Sequence, residues 1–433
     1  MSSSSNGRLN KGTSKEADSG RIISVVICKG SFIRVDGSGE LLVNYACHLN
    51  ASGHRVRVLL AMPFDHDNKH YKRLRQAGIP VDCVVHQPFY ALLRVLRKID
   101  SIRARVFGSS SVDWERIAYL TSRFYFRVHK PDLVHVIQAD TTAPGMIRAA
   151  HALGVPVLYQ EVITPRYGPD SDALYDRLAD VLSLCTGVAA LSPIQAIEVR
   201  ARIPYNGCVS VLPLISEDPV TVGVSTTHNR VTFGFAARLE HWKGPLVLLE
   251  AFALLLRRCP NSFLRMAGTG PQEPEAIARV TELGVADRCE FLGPFATAED
   301  RSDFMQSLDV FVQPSFADGT PNSIIEAMAH GLPIVASLNG GIPDLVLPEL
   351  GILVPSGDSE ALANALARLA GDAELRGKMG RVARYRYEEL FSPAAVLPVL
   401  LDVYRSVMER GRKTIGPALS THARPQHPWV SIG

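Results

Sequence analysis

Short apolar runs recur along this chain, each followed by a segment with helical spacing. In the first half they are IISVVIC (22–28), RVRVLLA (55–61), VDCVV (81–85), LVHVI (133–137), VPVLY (155–159) and GVAAL (187–191). In the second half VTFGFAA (231–237), SFLRMAG (262–268), CEFLG (289–293), DVFVQPS (309–315) and PIVAS (333–337) repeat the rhythm. Runs that are apolar throughout, without polar alternation, suit strands covered on both faces, as in parallel sheets. Strands alternating with helices, such as those expected at 40–52, 114–128 and 142–153, predict an α/β protein.

There are two such series, and 433 residues are enough for two domains. The spacing predicts a disordered tail at 1–20, a Rossmann-like domain at 21–213 and a polar, turn-rich linker at 214–230. A second Rossmann-like domain is expected at 231–391. A last helix, within 392–413, is placed to cross back to the first domain, and 414–433 reads as another tail. Two doubly wound sheets facing each other bring the C-terminal ends of their strands to one cleft, where such sheets bind ligands.

Charge is unevenly divided. Residues 1–214 hold 26 Lys and Arg against 18 Asp and Glu, whereas residues 215–433 hold 20 against 25. A mildly basic first half suits an acidic partner, either an anionic membrane or a phosphorylated acceptor. The excess is too small to argue for nucleic acid, and no nucleic-acid-binding motif is present. YALLRVLRKIDSIRARV (90–106) sets Arg94, Arg97, Lys98, Arg103 and Arg105 among leucines and isoleucines. Such a basic amphipathic helix fits a bilayer surface, or equally a solvated face. The seven cysteines are scattered singly, as expected of free thiols in a reducing compartment. No run of 18 apolar residues and no secretory signal is found, so a cytoplasmic protein is expected, at most peripheral to a membrane.

Several motifs carry possible chemistry. In FAARLEHWKG, Arg238 follows a strand and Lys243 precedes a helix, so two cations can converge on one pyrophosphate. Alone, they read equally as surface cations. In AGTGP, Gly268 and Gly270 sit in a strand-to-helix turn, where glycine admits close backbone approach. In DGSGELL, Gly37, Ser38 and Gly39 open a helix after the first strand, but the dinucleotide fingerprint is absent. In ADGTPNSIIEAMAH, Asp318 ends a strand-to-turn segment, Thr320 is placed to cap a helix and Pro321 to begin it. Glu326 then lies on the same helix face as Asn322 and His330. A turn aiming N–H groups at a phosphate, flanked by two carboxylates, suits a ligand that also bears sugar hydroxyls. The plain alternative is a turn aspartate and a solvated glutamate. The triplets Asp65/Asp67 and Asp170/Asp172 could hold Mg²⁺ but are expected by chance, so no metal is assigned. His135, inside an apolar strand, reads first as a core histidine.

The order Arg238, Lys243, the 267–271 glycines, Asp318, Glu326, NGGIPDLV (339–346) and GILVPSGD (351–358) resembles glycosyltransferase family 4. These are retaining enzymes of the GT-B fold, with two Rossmann-like domains around a cleft. The likeness is densest over 231–370 and weaker over 21–160. It implies that Arg238 and Lys243 bind the donor diphosphate, Glu326 the nucleotide ribose and Asp318 the donor sugar. Gly319, Thr320, Pro321, Asn322 and Ser323 would line sugar and phosphate, with Gly37 across the cleft. Two departures stand out. The first acid is Asp where the family usually has Glu. No histidine follows the strand at 155–159, where Gln160, Glu161 or Val162 fills the region; Glu161 is the preferred candidate at the reacting centre, with His135 a second first-domain candidate for substrate. The resemblance further implies a nucleotide-sugar donor, a sugar, lipid-linked or other hydroxyl acceptor, and no cofactor. A nucleotide-sugar-binding protein without transfer activity, or an epimerase or phosphorylase of the same fold, stays open.

Overall fold

A computed structural model describes residues 21–32, 37–62, 65–84, 113–137, 142–162, 178–202, 205–219 and 230–413. The basic segment 90–106, the triplet Asp170/Asp172 and the two terminal stretches lie outside them.

The first sheet is built from β1 (Ser24–Lys29), β2 (Arg55–Leu60), β3 (Val81–Cys83), β4 (Leu133–Ile137), β5 (Val157–Glu161), β6 (Gly187–Ala190) and β7 (Val209–Val211). All pairs are parallel, in the order β3-β2-β1-β4-β5-β6-β7. Its helices are α1 (Gly37–Ala51), α2 (Lys69–Gln76), α3 (Trp114–His129), α4 (Ala143–His151) and α5 (Pro193–Arg202). The second sheet holds β8 (Val231–Ala236), β9 (Ser262–Ala267), β10 (Cys289–Phe291), β11 (Val310–Gln313), β12 (Ile334–Ser337) and β13 (Gly351–Val354). It too is parallel, in the order β10-β9-β8-β11-β12-β13. Its helices are α6 (Pro245–Leu256), α7 (Glu273–Glu282), α8 (Ala298–Gln306), α9 (Asn322–Ala329), α10 (Ile342–Leu345), α11 (Ser359–Gly371) and α12 (Ala373–Leu390). Every apolar run singled out in the sequence overlaps a strand. β4 and β5 are buried along their whole length, which is why their sequences lack alternation.

Strand order reverses between β1 and β4 in one sheet and between β8 and β11 in the other. Such switch points open a crevice at the C-terminal strand ends. The loops after β9, β8, β11 and β12 therefore stand side by side, and each carries one of the motifs read above.

The expected linker is in part a packed crossover. Asn44 Nδ2 donates to Ile215 O at 2.7 Å and Tyr45 Oη to Pro213 O at 2.6 Å. Ser216 N donates to Phe391 O at 2.9 Å. Leu214 and Ile215 are buried, so the stretch before 220 is fixed by the same rule that fixes core strands: its apolar side chains leave water and its amides find partners. α13 (Pro393–Lys413) then returns to the first domain. Val396, Val399, Leu400, Val403, Tyr404 and Val407 are buried. Helix α12–α13 is long and apolar enough by composition to cross a membrane, but half of its most apolar window is buried inside the protein.

Candidate functional site

The loop after β8 holds the two expected cations. Arg238 is half-exposed and ion-paired with Glu240, whose carboxylate is buried. His241–Lys243 form a single 3-10 turn. Lys243 Nζ lies 2.6 Å from Asp318 Oδ2, on the loop after β11. Two more contacts tie these loops together. Phe316 N donates to Trp242 O at 2.8 Å, and the Phe316 ring stacks on His241 with centroids 5.1 Å apart. Because β8 and β11 are neighbours in the sheet, residues some 75 positions apart meet with little loop to order.

Asp318 has more partners than Lys243. Ser315 Oγ donates to its Oδ2 at 3.2 Å, and its own N–H donates to Asn339 Oδ1 at 3.2 Å. Asn339 in turn donates to Ser315 O and to Ser356 Oγ. Gly340 explains how the loop after β12 comes so close. Its φ is +52°, and a Cβ there would sit 1.8 Å from Asp318 O, a position only glycine can fill. The carboxylate of Asp318 thus faces the ammonium of Lys243, not open space.

Gly268 has a different task from the one its motif suggests. With φ at +130°, a Cβ would lie 1.9 Å from Ala237 O, and one on Gly270 would lie 2.4 Å from Leu239 O. These glycines let the loop after β9 pack on the loop carrying Arg238. Close approach is indeed the reason for glycine here, but to a neighbouring loop.

α9 begins one residue later than its sequence pattern suggests. Pro321 is the N-cap and offers no side-chain bond, while the hydroxyl of buried Thr320 has no partner among the described residues. The first N–H groups of a helix have no partner within it, so Asn322 and Ser323 present theirs at the cleft beside Gly319. Opposite stands the start of α1: a Cβ on Gly37 would lie 3.4 Å from Asn322 Nδ2. Ser38 and Gly39 complete that first turn. Two helix N-termini, one from each domain, thus converge on one place, with Lys243 and Arg238 on adjoining loops. Such an arrangement favours an anion with several charges.

Glu326 is one turn into α9 and ion-pairs with Arg301 of α8. Burial pushes its carboxyl above the usual carboxylate range, and the Arg301 guanidinium offsets part of that rise. The pair belongs to a wider group at the domain boundary. Glu40, in the first turn of α1, accepts from Arg73 at 2.5 Å and lies 3.5 Å from the His70 ring. Burial raises the Glu40 carboxyl, but Arg73 and Arg301 outweigh it and hold the group below its usual range. Arg301 was not visible from sequence; within AEDRSDF nothing distinguishes it from a surface arginine. Glu240 and Asn339 were also missed, though both lie within motifs that carried the resemblance.

The two first-domain candidates sit in buried surroundings. His135 is a core residue: it is fully buried, its Nδ1 lies 2.9 Å from Tyr404 Oη on α13, and burial pulls its pKa down to about 3. Glu161 is buried at the end of β5, where its carboxylate accepts from Tyr159 Oη at 2.7 Å and from Val162 N at 2.9 Å. Gln160 beside it donates to Leu212 O at 2.9 Å. All three side chains are buried and hydrogen-bonded within the first domain. Asp65 accepts from Asp67 N at 2.9 Å, and Asp67 pairs with Lys72. These acids are used in the turn before α2.

Residues 230–372 match the family model described as Glycosyl transferases group 1. The chain is similar to a D-inositol 3-phosphate glycosyltransferase of Saccharomonospora viridis, with 36% identity over 194 residues, 42% of this chain and 44% of that protein. It thus spans less than half the length of the curated relatives it matches. Its structure is similar to that of HepE from Anabaena in complex with UDP and glucose. The TM-score is 0.70 at 20% identity, over 89% of this chain and 100% of that one. Sucrose-phosphate synthase from Thermosynechococcus elongatus gives a TM-score of 0.70 at 18% identity, over 89% and 99% of the two chains. At these identities the likeness establishes the fold, which is GT-B: two parallel α/β sheets, as expected.

Proposed function

We propose, taking residues 230–372 as a group 1 glycosyl transferase domain, that the chain is a retaining glycosyltransferase. It moves a sugar from a nucleotide diphosphate-sugar to a hydroxyl acceptor. The observation that carries this reading is the convergence of the α1 and α9 N-termini beside Lys243 and Arg238. A leaving nucleoside diphosphate gains charge on its oxygens as the glycosidic bond breaks. Fixed cations and aimed N–H groups stabilise that charge without reorganising, so the reaction needs no metal. Glu326 accepts hydrogen bonds from the ribose. Asn322, Ser323 and the backbone at Gly319–Thr320 line sugar and phosphate. Attack occurs on the face the leaving group departs from, with a donor phosphate oxygen taking the acceptor proton.

Asp318 acts in this scheme chiefly through Lys243, since its carboxylate is committed to that ammonium. The basic balance of the first half favours an acidic acceptor, in the cytoplasm and near a membrane, in the synthesis of a polysaccharide or glycolipid. Incubation with a panel of UDP-, GDP- and ADP-sugars tests the reading, scored for released diphosphate with and without added acceptors. Acceptor-dependent release with a glycosylated product of retained configuration supports it. Tight donor binding with no release under any condition would make the chain a nucleotide-sugar binder.

A further inference from the structure

α3 has an unusual outer face. Ala118, Ser122 and Phe126 are its buried residues, and they pack on α4 so closely that a Cβ on Gly145 would lie 2.2 Å from Glu115 O. Leu120, Phe124 and Val128 come two positions later, about 200° further round the helix. They point away from the protein, with 57%, 73% and 56% of their surface exposed. An outward face of a soluble helix is ordinarily polar.

Beside this stripe run Arg116, Arg123, Arg127 and Lys130, all exposed. At 100° per residue the three arginines fall within about 60° of Leu120, on one flank. None of the four cations forms an ion pair with a described residue. The acids nearby are engaged elsewhere: Asp113 caps the helix by accepting from Arg116 N at 2.9 Å, and Glu115 pairs with Arg148 at 3.1 Å. The face therefore combines an apolar ridge about 12 Å long with an uncompensated positive flank.

We propose that this face of α3 docks on an anionic lipid bilayer. Leucine, phenylalanine and valine would enter the boundary between headgroups and acyl chains, while the arginines and Lys130 meet anionic headgroups. Charge selects this occupant. A second copy placed face to face would oppose two rows of cations. The segment 90–106 is not the occupant either, since Arg94, Arg97, Lys98, Arg103 and Arg105 would repel the same flank. Docking through the first domain would hold the cleft at the membrane, which suits a lipid-linked acceptor. The docking itself does not depend on transferase activity.

The test is sedimentation of the full chain with phosphatidylcholine vesicles and with vesicles containing about one-third phosphatidylglycerol. The expected result is binding to the anionic vesicles alone, weakened by salt. A double variant Leu120→Gln, Phe124→Gln, and separately Arg123→Glu, Arg127→Glu, should each reduce partitioning about tenfold or more. All four side chains are exposed, so an unchanged melting temperature serves as the folding control. A Phe124→Trp variant should shift its emission to the blue on anionic vesicles. Absence of vesicle binding by the parent chain, unchanged binding by both double variants, or no emission shift at position 124 would overturn the proposal. So would a dimer that dissociates on the Leu120, Phe124 double substitution.

Discussion

Lys243 Nζ and Asp318 Oδ2 stand 2.6 Å apart, each on the loop that follows one of two neighbouring strands. The ammonium is mostly shielded from water and the carboxylate more so. A flexible lysine stem held in this way keeps one position, and a cation that does not have to reorganise is worth most in catalysis. The shorter acid at 318 thereby gains a reason. With Ser315 and Asn339 holding it from below, an aspartate reaches Lys243 and stops there.

Lys243→Ala is expected to lower kcat by about 100-fold or more, with the fold intact. Asp318→Asn should cost between about 10-fold and 100-fold, because misplacing a catalytic cation by an ångström has effects of that size. The double variant decides the role of Asp318. If Asp318 acts through Lys243, adding Asp318→Asn to Lys243→Ala changes kcat little further. Fully additive losses, measured as initial rates of diphosphate release, would instead assign Asp318 its own contact with the donor sugar.

Arg301→Gln should move the acid limb of kcat/KM for the donor to higher pH. Burial already pushes the Glu326 carboxyl up, and the Arg301 charge holds it down. Removing that charge leaves burial opposed mainly by the more weakly acting Lys69 ammonium, so the ionised form that accepts ribose hydroxyls persists only at higher pH. Arg301→Lys, which keeps the charge, should restore most of the parent profile. An Arg301→Gln enzyme with an unshifted acid limb would show that Glu326 is not the group being titrated.

Activity in excess EDTA should equal activity in Mg²⁺. Two cations and two helix N-termini supply the positive charge at the proposed diphosphate position, and Asp65 and Asp67 are engaged in a turn. Loss of turnover that Mg²⁺ restores would return a metal to the mechanism and direct attention to Asp170 and Asp172.

What could be read in advance follows from how local each cause is. β6 announces itself because a strand covered on both faces needs apolar residues throughout. The Arg238–Lys243 and Asp318–Glu326 motifs were legible because each lies within one strand-to-helix unit. Arg301 was not, since its meeting with Glu326 depends on how α8 packs beside α9. The role of Gly268 was half legible: the need for glycine shows, but only the fold tells that Ala237 O is the atom it must clear. Leu214 and Ile215 are too few apolar residues to reveal a buried crossover among prolines and acids. The exposed ridge on α3 was hidden for the opposite reason, since an apolar residue in a helix reads as core until its face is known.

His135 supplies a test of the first domain. It sits neutral in the core, its pKa pulled from 6.5 to about 3 by burial. A group depressed in this way binds its proton more readily in the unfolded chain. Its contribution to stability is complete above pH 6.5 and is lost progressively as pH falls from there towards 3, at up to about 1.4 kcal/mol per pH unit. Replacing it with a residue that does not titrate, as in His135→Met, should remove that part of the slope. Melting temperatures of parent and variant, compared at pH 7 and pH 5, should converge at the lower pH. Tyr404→Phe should cost about 1–3 kcal/mol by leaving His135 Nδ1 without a partner, while turnover per folded molecule stays near the parent value. A large loss of kcat with unchanged stability would return His135 to the substrate site.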